Sequence, residues 1–237
     1  MSSNNKKQCL VLLSGGLDSA TVLNIALQEF EVIAISFDYG QRHKFEISSA
    51  KQIAREAKIP FKLIKIDLGQ FGNSALTDNI EVPKNQEIGK EIPITYVPVR
   101  NTIFLSYALA FAEVNNIFDI FIGVNALDYS GYPDCRPEFI EAFEKMANEA
   151  TKFSQGEEKI KIHTPLINLT KAEIIIEGSK LNVNYAITHS CYDPSADGLS
   201  CGACDACILR KEGCKAAGVM DPTRYIWAVS YTHLRAH

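Results

Sequence analysis

Short apolar runs alternate with segments of helical periodicity along the first half of the chain. Residues 9–13 form an apolar run, the turn Ser14-Gly15-Gly16 follows, and apolar residues then recur at helical spacing from Ala20 to Phe30. A short apolar run bounded by turn residues is typical of a buried strand, whereas the longer period indicates a helix. This opening segment therefore predicts a strand, a turn and a helix.

The same alternation returns further along the chain. Predicted strands cover residues 32–37, 61–66 and 119–124, and predicted helices cover about 44–58 and 102–115. Strands that alternate with helices pair in parallel, because each helix carries the chain back to the starting edge of the sheet. We expect an α/β fold with a doubly wound, mainly parallel sheet.

The second half of the chain is predicted to be mainly helical. A helix extends to about Phe153, residues 159–163 form a strand, and a further helix opens at Thr170. The Thr170 hydroxyl is the expected N-cap, because Glu173 stands at the third helical position. Residues 68–93 are too polar and irregular for core elements, so we predict a flexible insertion there.

Length, composition and charge are those of one globular domain. The chain has 237 residues, of which 46% are hydrophobic and 22% charged, and its formal net charge is −4. An acidic balance argues against a broad nucleic-acid surface, which needs clustered Lys and Arg. The polar start and the absence of any run near ~18 apolar residues predict no signal peptide and no membrane span, so we expect a cytoplasmic protein.

The turn between the first strand and the first helix carries the string Ser-Gly-Gly-Leu-Asp-Ser, residues 14–19. Ligands of doubly wound sheets bind at this position, beyond the carboxyl ends of the strands. Gly15 and Gly16 let the backbone approach a phosphate, and the helix N-terminus attracts its charge. Asp18 fits such a site if it holds a Mg²⁺ ion that is bound to the phosphates. An ordinary strand-to-helix turn is the competing interpretation, and the string is neither a Walker loop nor a dinucleotide motif.

This string resembles the PP-loop of ATP pyrophosphatases, which split ATP between its α and β phosphates and activate a substrate oxygen by adenylation. The resemblance implies an adenine nucleotide α-hydrolase-like fold that binds ATP with Mg²⁺. In that class the end of the second strand, here residues 36–43, lies near the adenine and ribose; a solvated helix start is the alternative for Arg42 and His43. The predicted ATP-binding residues are Leu13, Ser14, Gly15, Gly16, Leu17, Asp18, Ser19, Ala20, Thr21, Val22, Leu23 and Asp38.

Four of the seven cysteines lie near one another in the last quarter of the chain, at Cys191, Cys201, Cys204 and Cys207. Cytosolic thiols stay reduced, so a cluster of them indicates metal ligands. Four thiolates close tetrahedrally on one Zn²⁺ and leave no position for water, so we predict a structural zinc ion. An iron–sulfur cluster is the alternative, although the Cys-Pro step of the ferredoxin pattern is missing. The remaining thiols, Cys9, Cys135 and Cys214, are expected to be core or surface residues.

Further motifs extend over nearly the whole chain. They are FDYGQRH at 37–43, VPVRN at 97–101, GVN at 123–125, DYSGYPDCR at 128–136, TPL at 164–166 with Lys171 and Glu173, SCY at 190–192, CGACDAC at 201–207, Leu209-Arg210 and DPT at 221–223. In this order and spacing, from about Cys9 to Tyr225, the chain resembles the 7-cyano-7-deazaguanine synthase family. Cys214 stands where that family commonly has an aromatic residue, and the tail from about Val229 matches nothing expected of the family.

The resemblance implies an ATP-dependent ligase that forms C–N bonds. Such an enzyme converts 7-carboxy-7-deazaguanine and ammonia to the nitrile 7-cyano-7-deazaguanine in queuosine biosynthesis. Free ammonia is the expected nitrogen source, a homodimer is the expected assembly, and no stable nucleic-acid partner is expected. The candidate catalytic residues are Asp18, Ser19, Arg100 and Lys171. The candidate substrate-binding residues are Asp128, Tyr129, Ser130, Tyr132, Asp134 and Arg136, with Cys135 as an alternative covalent nucleophile.

These assignments divide one compact unit into regions. Residues 1–185 form the predicted ATP-binding α/β domain, residues 186–228 the helical, zinc-binding C-terminal region, and residues 229–237 an atypical tail. His233 and His237 lie in that tail and are left out of the predicted metal site.

Two other functions are compatible with the same sequence. Another PP-loop ATP pyrophosphatase would act on tRNA or on a small-molecule acceptor, and a tRNA substrate would need a basic surface with interleaved aromatic residues. A non-enzymatic zinc-ribbon binding module would use residues 14–19 only as a turn. Mg²⁺-dependent ATP binding that is lost in Asp18→Ala separates both PP-loop enzymes from the binding module.

Overall fold

A computed structural model describes residues 6–86, 91–127 and 132–226. These residues contain a five-stranded sheet with the strand order β3-β2-β1-β4-β5. All of its pairs are parallel. The strands are β1 (Gln8–Leu12), β2 (Glu31–Asp38), β3 (Phe61–Lys65), β4 (Asp119–Phe121) and β5 (Lys161–His163).

Helices connect these strands and follow them. They are α1 (Leu17–Glu29), α2 (Phe45–Glu56), α3 (Arg100–Asn115), α4 (Pro137–Ala150), α5 (Lys171–Lys180) and α6 (Asp205–Ala217). Short 3₁₀ helices lie at Gly69–Phe71, Pro133–Cys135, Lys152–Gln155 and Tyr185–Ile187. The predicted elements are all present, with ends that differ by a few residues.

Two apolar cores lie on opposite faces of the sheet. In β1, Leu10 and Leu12 pack with buried residues of α3 and α4. The intervening Cys9 and Val11 pack with buried residues of α1, α2 and α5. Successive strand side chains point to opposite faces, so helices cover both sides of the sheet. This arrangement confirms the predicted doubly wound, parallel α/β fold.

The start of α5 has the predicted capping box. The Thr170 hydroxyl accepts a hydrogen bond from the Glu173 N–H at 3.3 Å. The Glu173 carboxylate in turn accepts from the Thr170 N–H at 2.8 Å. Two N–H groups that no helical carbonyl reaches are thereby satisfied, which fixes where α5 begins.

The described part of the predicted insertion packs against the cysteine-rich region. Ala75 and Val82 are buried in one apolar cluster with Cys191 and Cys204. The Asn85 N–H donates to the Ala203 carbonyl at 2.8 Å. The flexibility of this insertion and the limits of the regions stay predictions, and the tail at 229–237 lies outside the described residues. Among the residues described, no helix has the length and apolar character needed to cross a membrane.

Candidate active site and metal centre

A cavity opens at the carboxyl ends of β1, β2 and β4. The strand order reverses direction between β1 and β4, and such a point is where doubly wound sheets bind ligands. The cavity walls come from the predicted phosphate loop, from the start of α2, from α3 and from the segment around Cys191. Its polar and aromatic lining includes Ser14, Asp18, Ser19, Phe37, Tyr39, Gln41, Glu46, Arg100, Asn101, Phe104, Tyr132, Ser190 and Tyr192.

The phosphate loop places donors at the N-terminus of α1. Gly16 caps this helix in an extended conformation and makes no side-chain cap hydrogen bond. The Ser14 and Ser19 hydroxyls lie 3.0 Å apart, and both serines line the cavity. N–H groups at a helix N-terminus and the positive end of the helix dipole attract an anion. The loop therefore has the donors that bind a polyphosphate.

Position 15 of this loop accepts only glycine. Its φ of +95° lies in the left-handed region, and a Cβ there would stand 2.1 Å from the Glu46 carbonyl oxygen. Contacts this short do not occur between real atoms, so the first turn of α2 would have to move. The close packing of α2 against the loop depends on the missing side chain.

Gly15→Ala is expected to lower ATP-dependent activity by about 10²-fold, because displacing α2 from the loop misplaces the reacting groups. Gly218→Ala is the matched control: Gly218 also has a positive φ, of +66°, but a Cβ there meets no atom within 4 Å. Both variants carry backbone strain of about 1–2 kcal/mol, which thermal denaturation measures. Equal loss of activity in the two variants would contradict the predicted role of the Gly15–α2 contact.

Asp18, which lines the cavity, forms a two-point ion pair with Lys171. The Lys171 Nζ lies 2.6 Å from Asp18 Oδ1 and 2.8 Å from Oδ2. The side chains are 9% and 21% exposed, respectively, so water screens the pair only partly. The structure thus brings together two predicted catalytic residues that stand 153 positions apart in the sequence. A cation at this depth compensates negative charge both on Asp18 and on a phosphate bound beside it.

Arg100 lines the same cavity and lies among aromatic hydroxyls. It begins α3, is half-buried, and hydrogen-bonds the Tyr39 hydroxyl. The Tyr132 hydroxyl hydrogen-bonds Tyr192 and lies 2.9 Å from the Thr95 hydroxyl. Burial raises the pKa of Tyr39 to about 12, so this phenol stays neutral beside the guanidinium. The group therefore presents one fixed positive charge, suited to a carboxylate.

An aromatic pair and a carboxyl group complete the cavity. The rings of Phe37 and Phe104 stack with centroids 4.1 Å apart and an interplanar angle of 2°. Glu46 enters the same cavity from the first turn of α2. Burial raises the pKa of Glu46 to about 7, against the opposing effect of Arg100. Flat apolar surface beside a carboxyl that gains and loses a proton near neutral pH suits a heterocycle with N–H donors.

The four predicted metal ligands meet in one place. The Sγ atoms of Cys191, Cys201, Cys204 and Cys207 all lie within 4.8 Å of one another. Backbone N–H groups of Cys201 and Cys204 donate to the sulfurs of Cys191 at 3.2 Å and Cys201 at 3.3 Å. Such hydrogen bonds favour thiolates. The spacing fits a tetrahedral ion with Zn–S bonds of about 2.3 Å.

The electrostatics of the four thiols also fit a bound cation. Hydrogen bonds from the other thiols, above all Cys191, lower the pKa of Cys201 and Cys204. Hydrogen bonds within the set raise the pKa of Cys191 and Cys207. Without a metal, only part of the set would ionise, whereas a divalent cation stabilises all four thiolates. The residues present are therefore those that a structural zinc ion requires.

The metal centre and the phosphate loop share one segment of chain. On one side of Cys191, the Ser190 hydroxyl accepts a hydrogen bond from the Leu17 N–H at 3.4 Å. The His189 N–H donates to the Gly15 carbonyl at 2.9 Å. On the other side, Tyr192 lines the cavity. A metal ion held by Cys191 would thus fix the backbone that supports the loop.

Known proteins with the same sequence pattern share one description. The family model for queuosine biosynthesis protein QueC matches residues 8–218. The chain belongs to the QueC family. A 7-cyano-7-deazaguanine synthase from Desulfatibacillum aliphaticivorans is 58% identical over 232 residues, which cover 95% of this chain and 100% of that relative. The enzyme of the same name from Geobacter sp. (strain M21) is 59% identical over 222 residues, which cover 93% and 98%.

A solved structure has a weaker likeness to this QueC-family chain. NMN synthetase from Francisella tularensis gives a TM-score of 0.48 and 20% identity, over 99% of this chain and 86% of that one. A likeness at this level carries no argument about the site. The family assignment rests on the sequence comparisons above.

The predicted substrate-binding loop is only partly described in this QueC-family chain. Asp128, Tyr129 and Ser130 lie outside the described residues. Tyr132 lines the cavity, and its ring stacks on Tyr96 with centroids 5.5 Å apart. Asp134 is buried and does not line the cavity, and its carboxylate accepts a hydrogen bond from the Asn101 N–H at 2.9 Å. Arg136 is exposed at the N-cap of α4.

Other predicted residues have roles outside the cavity lining. Asp38 pairs with Lys44 at 2.9 Å. Arg42 is exposed and donates to the Ile80 carbonyl at 2.8 Å, so it ties down the insertion. Cys214 is buried in the core between helices and is not among the four clustered thiols. Cys135, by contrast, does line the cavity, but burial raises its pKa to about 12, which disfavours a thiolate nucleophile there.

Several lining residues were given no individual role from the sequence. Ser190 and Tyr192 flank a metal ligand, and that position was the available signal. Gln41 accepts from the Tyr39 N–H at 2.8 Å and shapes the turn after β2. Glu46 had no local signal, because an acidic residue in the first turn of a helix is common for reasons of the helix dipole alone. Only the approach of α2 to the phosphate loop places its carboxyl in the cavity.

Proposed function

We propose that this chain converts 7-carboxy-7-deazaguanine and ammonia to 7-cyano-7-deazaguanine at the expense of ATP. The observation that carries the proposal is the single cavity that joins the anion-binding loop of α1 to Arg100 and to flat aromatic surface. An enzyme that adenylates an acid must hold a nucleotide phosphate and a carboxylate side by side. The names of the relatives supply the product, and the family resemblance supplies the acid.

The chemistry needs two activations of the same carbon. A carboxylate oxygen is a poor leaving group, and ATP converts it to an acyl adenylate with release of pyrophosphate. Ammonia then attacks the carbonyl carbon, loses a proton and expels AMP to give the amide. Adenylation of the amide oxygen, followed by loss of protons from nitrogen and of AMP, gives the nitrile. Each half consumes one molecule of ATP and releases one pyrophosphate and one AMP, so the same loop serves both halves in turn.

The residues of the chain supply charge and position rather than a covalent intermediate. The N–H groups of the α1 terminus and the Ser14 and Ser19 hydroxyls bind the departing pyrophosphate. Lys171 opposes the negative charge that develops there, and Asp18 orients Lys171 and is the ligand offered to Mg²⁺. Arg100, which lines the same cavity, holds the substrate carboxylate. Glu46, with a pKa near 7, is placed to accept protons from nitrogen.

The compartment and the assembly belong to the same proposal. We infer a cytoplasmic enzyme, in which all seven cysteines are free thiols and the four clustered ones are available to a metal. We also infer a homodimer, as the family resemblance implies. The Zn²⁺ ion has a structural role, because four thiolates leave no position for substrate.

The proposed activity is tested by incubating the purified protein with ATP, Mg²⁺, ammonium and 7-carboxy-7-deazaguanine. The expected product is 7-cyano-7-deazaguanine, identified by mass spectrometry, together with AMP and pyrophosphate. Asp18→Ala is expected to abolish product formation, because it removes both the partner of Lys171 and the offered Mg²⁺ ligand.

The control for this assay is Asp78→Ala, an acidic residue in the insertion that accepts from the Asn73 N–H rather than facing the cavity. This variant should keep its activity. A folded, zinc-loaded wild-type protein that makes no nitrile would refute the assigned reaction. Nitrile formation that survives Asp18→Ala would refute the role of the loop.

A further inference from the structure

Neighbouring side chains confine the Lys171 side chain between α5 and its contact with Asp18, which lines the cavity. Lys171 is the first residue of α5, directly after the Thr170 cap, and it is 8% exposed. From this position its Nζ meets both oxygens of Asp18 on α1. A lysine has four rotatable side-chain bonds, so its ammonium lies in one place only where packing confines its stem.

Gly213 on α6 borders that stem. A Cβ built on Gly213 would stand 2.4 Å from Lys171 Cγ and 2.9 Å from Lys171 Cβ, and 3.0 Å from Ile175 Cδ1. The nearest atoms are thus all side-chain atoms of α5. The Lys171 side chain passes through the space that any other residue at 213 would occupy.

The backbone of Gly213 does not require glycine. The residue lies inside a regular helix, and its φ is not positive. Glycine destabilises a helix interior relative to alanine, so its presence in α6 calls for a packing reason. The passage of Lys171 is that reason.

Helix α6 is not free to move away from an added methyl group. Its N-cap, Cys204, and a residue of its first turn, Cys207, belong to the metal centre. Arg210 donates to the Asp221 carboxylate at 3.0 Å and to the Thr188 hydroxyl at 2.7 Å. These contacts hold α6 on the N-terminal side of Gly213, and Cys214 next to it is buried in the core. The strain of an added methyl group therefore falls on the Lys171 side chain and the start of α5.

We propose that Gly213 is a positioning residue for the reaction: the missing side chain lets Lys171 pass between α5 and α6 and sets its ammonium on Asp18. The inference deepens the proposed function and rests on it for the kinetic test. Helix α6, which carries the proposed metal ligand Cys207, would then also confine the side chain of Lys171.

The test is Gly213→Ala, with Ala216→Gly as the matched control. Ala216 is exposed on the same helix, so its replacement lowers helix propensity without touching Lys171. In Gly213→Ala we expect kcat to fall by about 10²-fold, as a misplaced catalytic group does, with little change in the KM for 7-carboxy-7-deazaguanine. Ala216→Gly should retain the wild-type kcat. Melting temperature and zinc content are measured for both variants to verify the fold.

A second readout follows Lys171 itself and needs no substrate. A brief pulse of an acetylating reagent, mapped by peptide mass spectrometry, reports whether each amine is accessible. Lys171 should resist the reagent in the wild type and in Ala216→Gly, and become reactive in Gly213→Ala. Lys180, whose side chain is 66% exposed on the same helix, is the internal reference.

The outcomes are distinct. Loss of kcat with exposure of Lys171 in Gly213→Ala alone supports the proposal. Unchanged kcat, or reduced kcat with Lys171 still protected, overturns it, as does the same loss in Ala216→Gly. A wild-type enzyme that forms no nitrile refutes the proposed reaction instead, and the acetylation comparison still decides whether Gly213 places Lys171.

Discussion

Replacing Lys171 by methionine is expected to lower kcat by about 10²–10³-fold, the usual cost of removing one preorganised charge-stabilising group. Methionine keeps an unbranched stem for the passage beside Gly213 and removes the ammonium that lies 2.6 Å from Asp18. Adenylation releases pyrophosphate, so negative charge accumulates beside this pair in the transition state. Lys171 opposes that charge in a site where water does so poorly, because its side chain is 9% exposed.

The matched control for this prediction is Lys180→Met. Lys180 lies in the last turn of the same helix, and its partner Glu177 is also at the surface. An exposed pair of this kind contributes little to stability, so the variant should have wild-type rates. Steady-state assays of nitrile formation, with ATP and substrate each varied, separate the effects on kcat and KM. A Lys171→Met enzyme within about threefold of the wild-type kcat would exclude the electrostatic role.

The fold was predictable because its determinants are local. The central strands β1 and β2 lie in short apolar runs, and α1 and α5 each begin at a recognisable loop or cap. Element ends were less accurate where a contact from elsewhere decides them. Strand β4 ends at Phe121, before the predicted end at Val124, where a Cβ on Gly123 would stand 3.2 Å from the Ser19 backbone nitrogen. The close approach of α1 at this point is a property of the assembled sheet and leaves no periodic signal.

In the site too, the features encoded within a short stretch of sequence were predictable and the long-range contacts were not. Residues 14–19 and the four cysteines were recognisable because each motif places its chemistry within a short stretch of sequence. The partnership of Asp18 with Lys171 joins segments 153 positions apart, and no spacing rule relates them. Gly213 is the extreme case: in sequence it is only an unfavourable residue in a predicted helix. Its role is visible once α5 packs against α6.

Loss of the metal is expected to disorder the C-terminal region and to weaken ATP binding at the same time. The buried cluster around the thiols is small and consists largely of the cysteines themselves with Ala75, Val82 and Tyr225. So little apolar surface cannot hold residues 186–226 in place, whereas structural zinc contributes about 10 kcal/mol or more in small metal-dependent domains. Without the ion, the four thiols would repel one another once ionised or leave buried, unpaired S–H groups.

Cys204→Ser is the variant that tests this, and Cys214→Ser is its matched control. Both residues are buried cysteines at or in α6, but only Cys204 belongs to the four-thiol cluster. We expect Cys204→Ser to lose its zinc, measured by elemental analysis, and to unfold at a clearly lower temperature. Cys214→Ser should keep one zinc ion per chain and lose only about 1–2 kcal/mol of stability, because a hydroxyl replaces a buried thiol. Visible absorbance of the wild-type protein would reveal an iron–sulfur cluster instead.

The ATP-binding measurement shows whether the metal acts beyond its own region. The Leu17 N–H reaches Ser190, and the His189 N–H reaches the Gly15 carbonyl, so the residues beside Cys191 hold the phosphate loop directly. When Cys191 loses its ion, these two contacts lose their anchor, and the loop no longer has one conformation ready for the nucleotide. Calorimetry with a non-hydrolysable ATP analogue and Mg²⁺ should therefore give at least about tenfold weaker binding for Cys204→Ser than for Cys214→Ser. Equal affinities, in protein shown to lack zinc, would mean that the metal stabilises only the C-terminal region and that the loop is held by α1 and α2 alone.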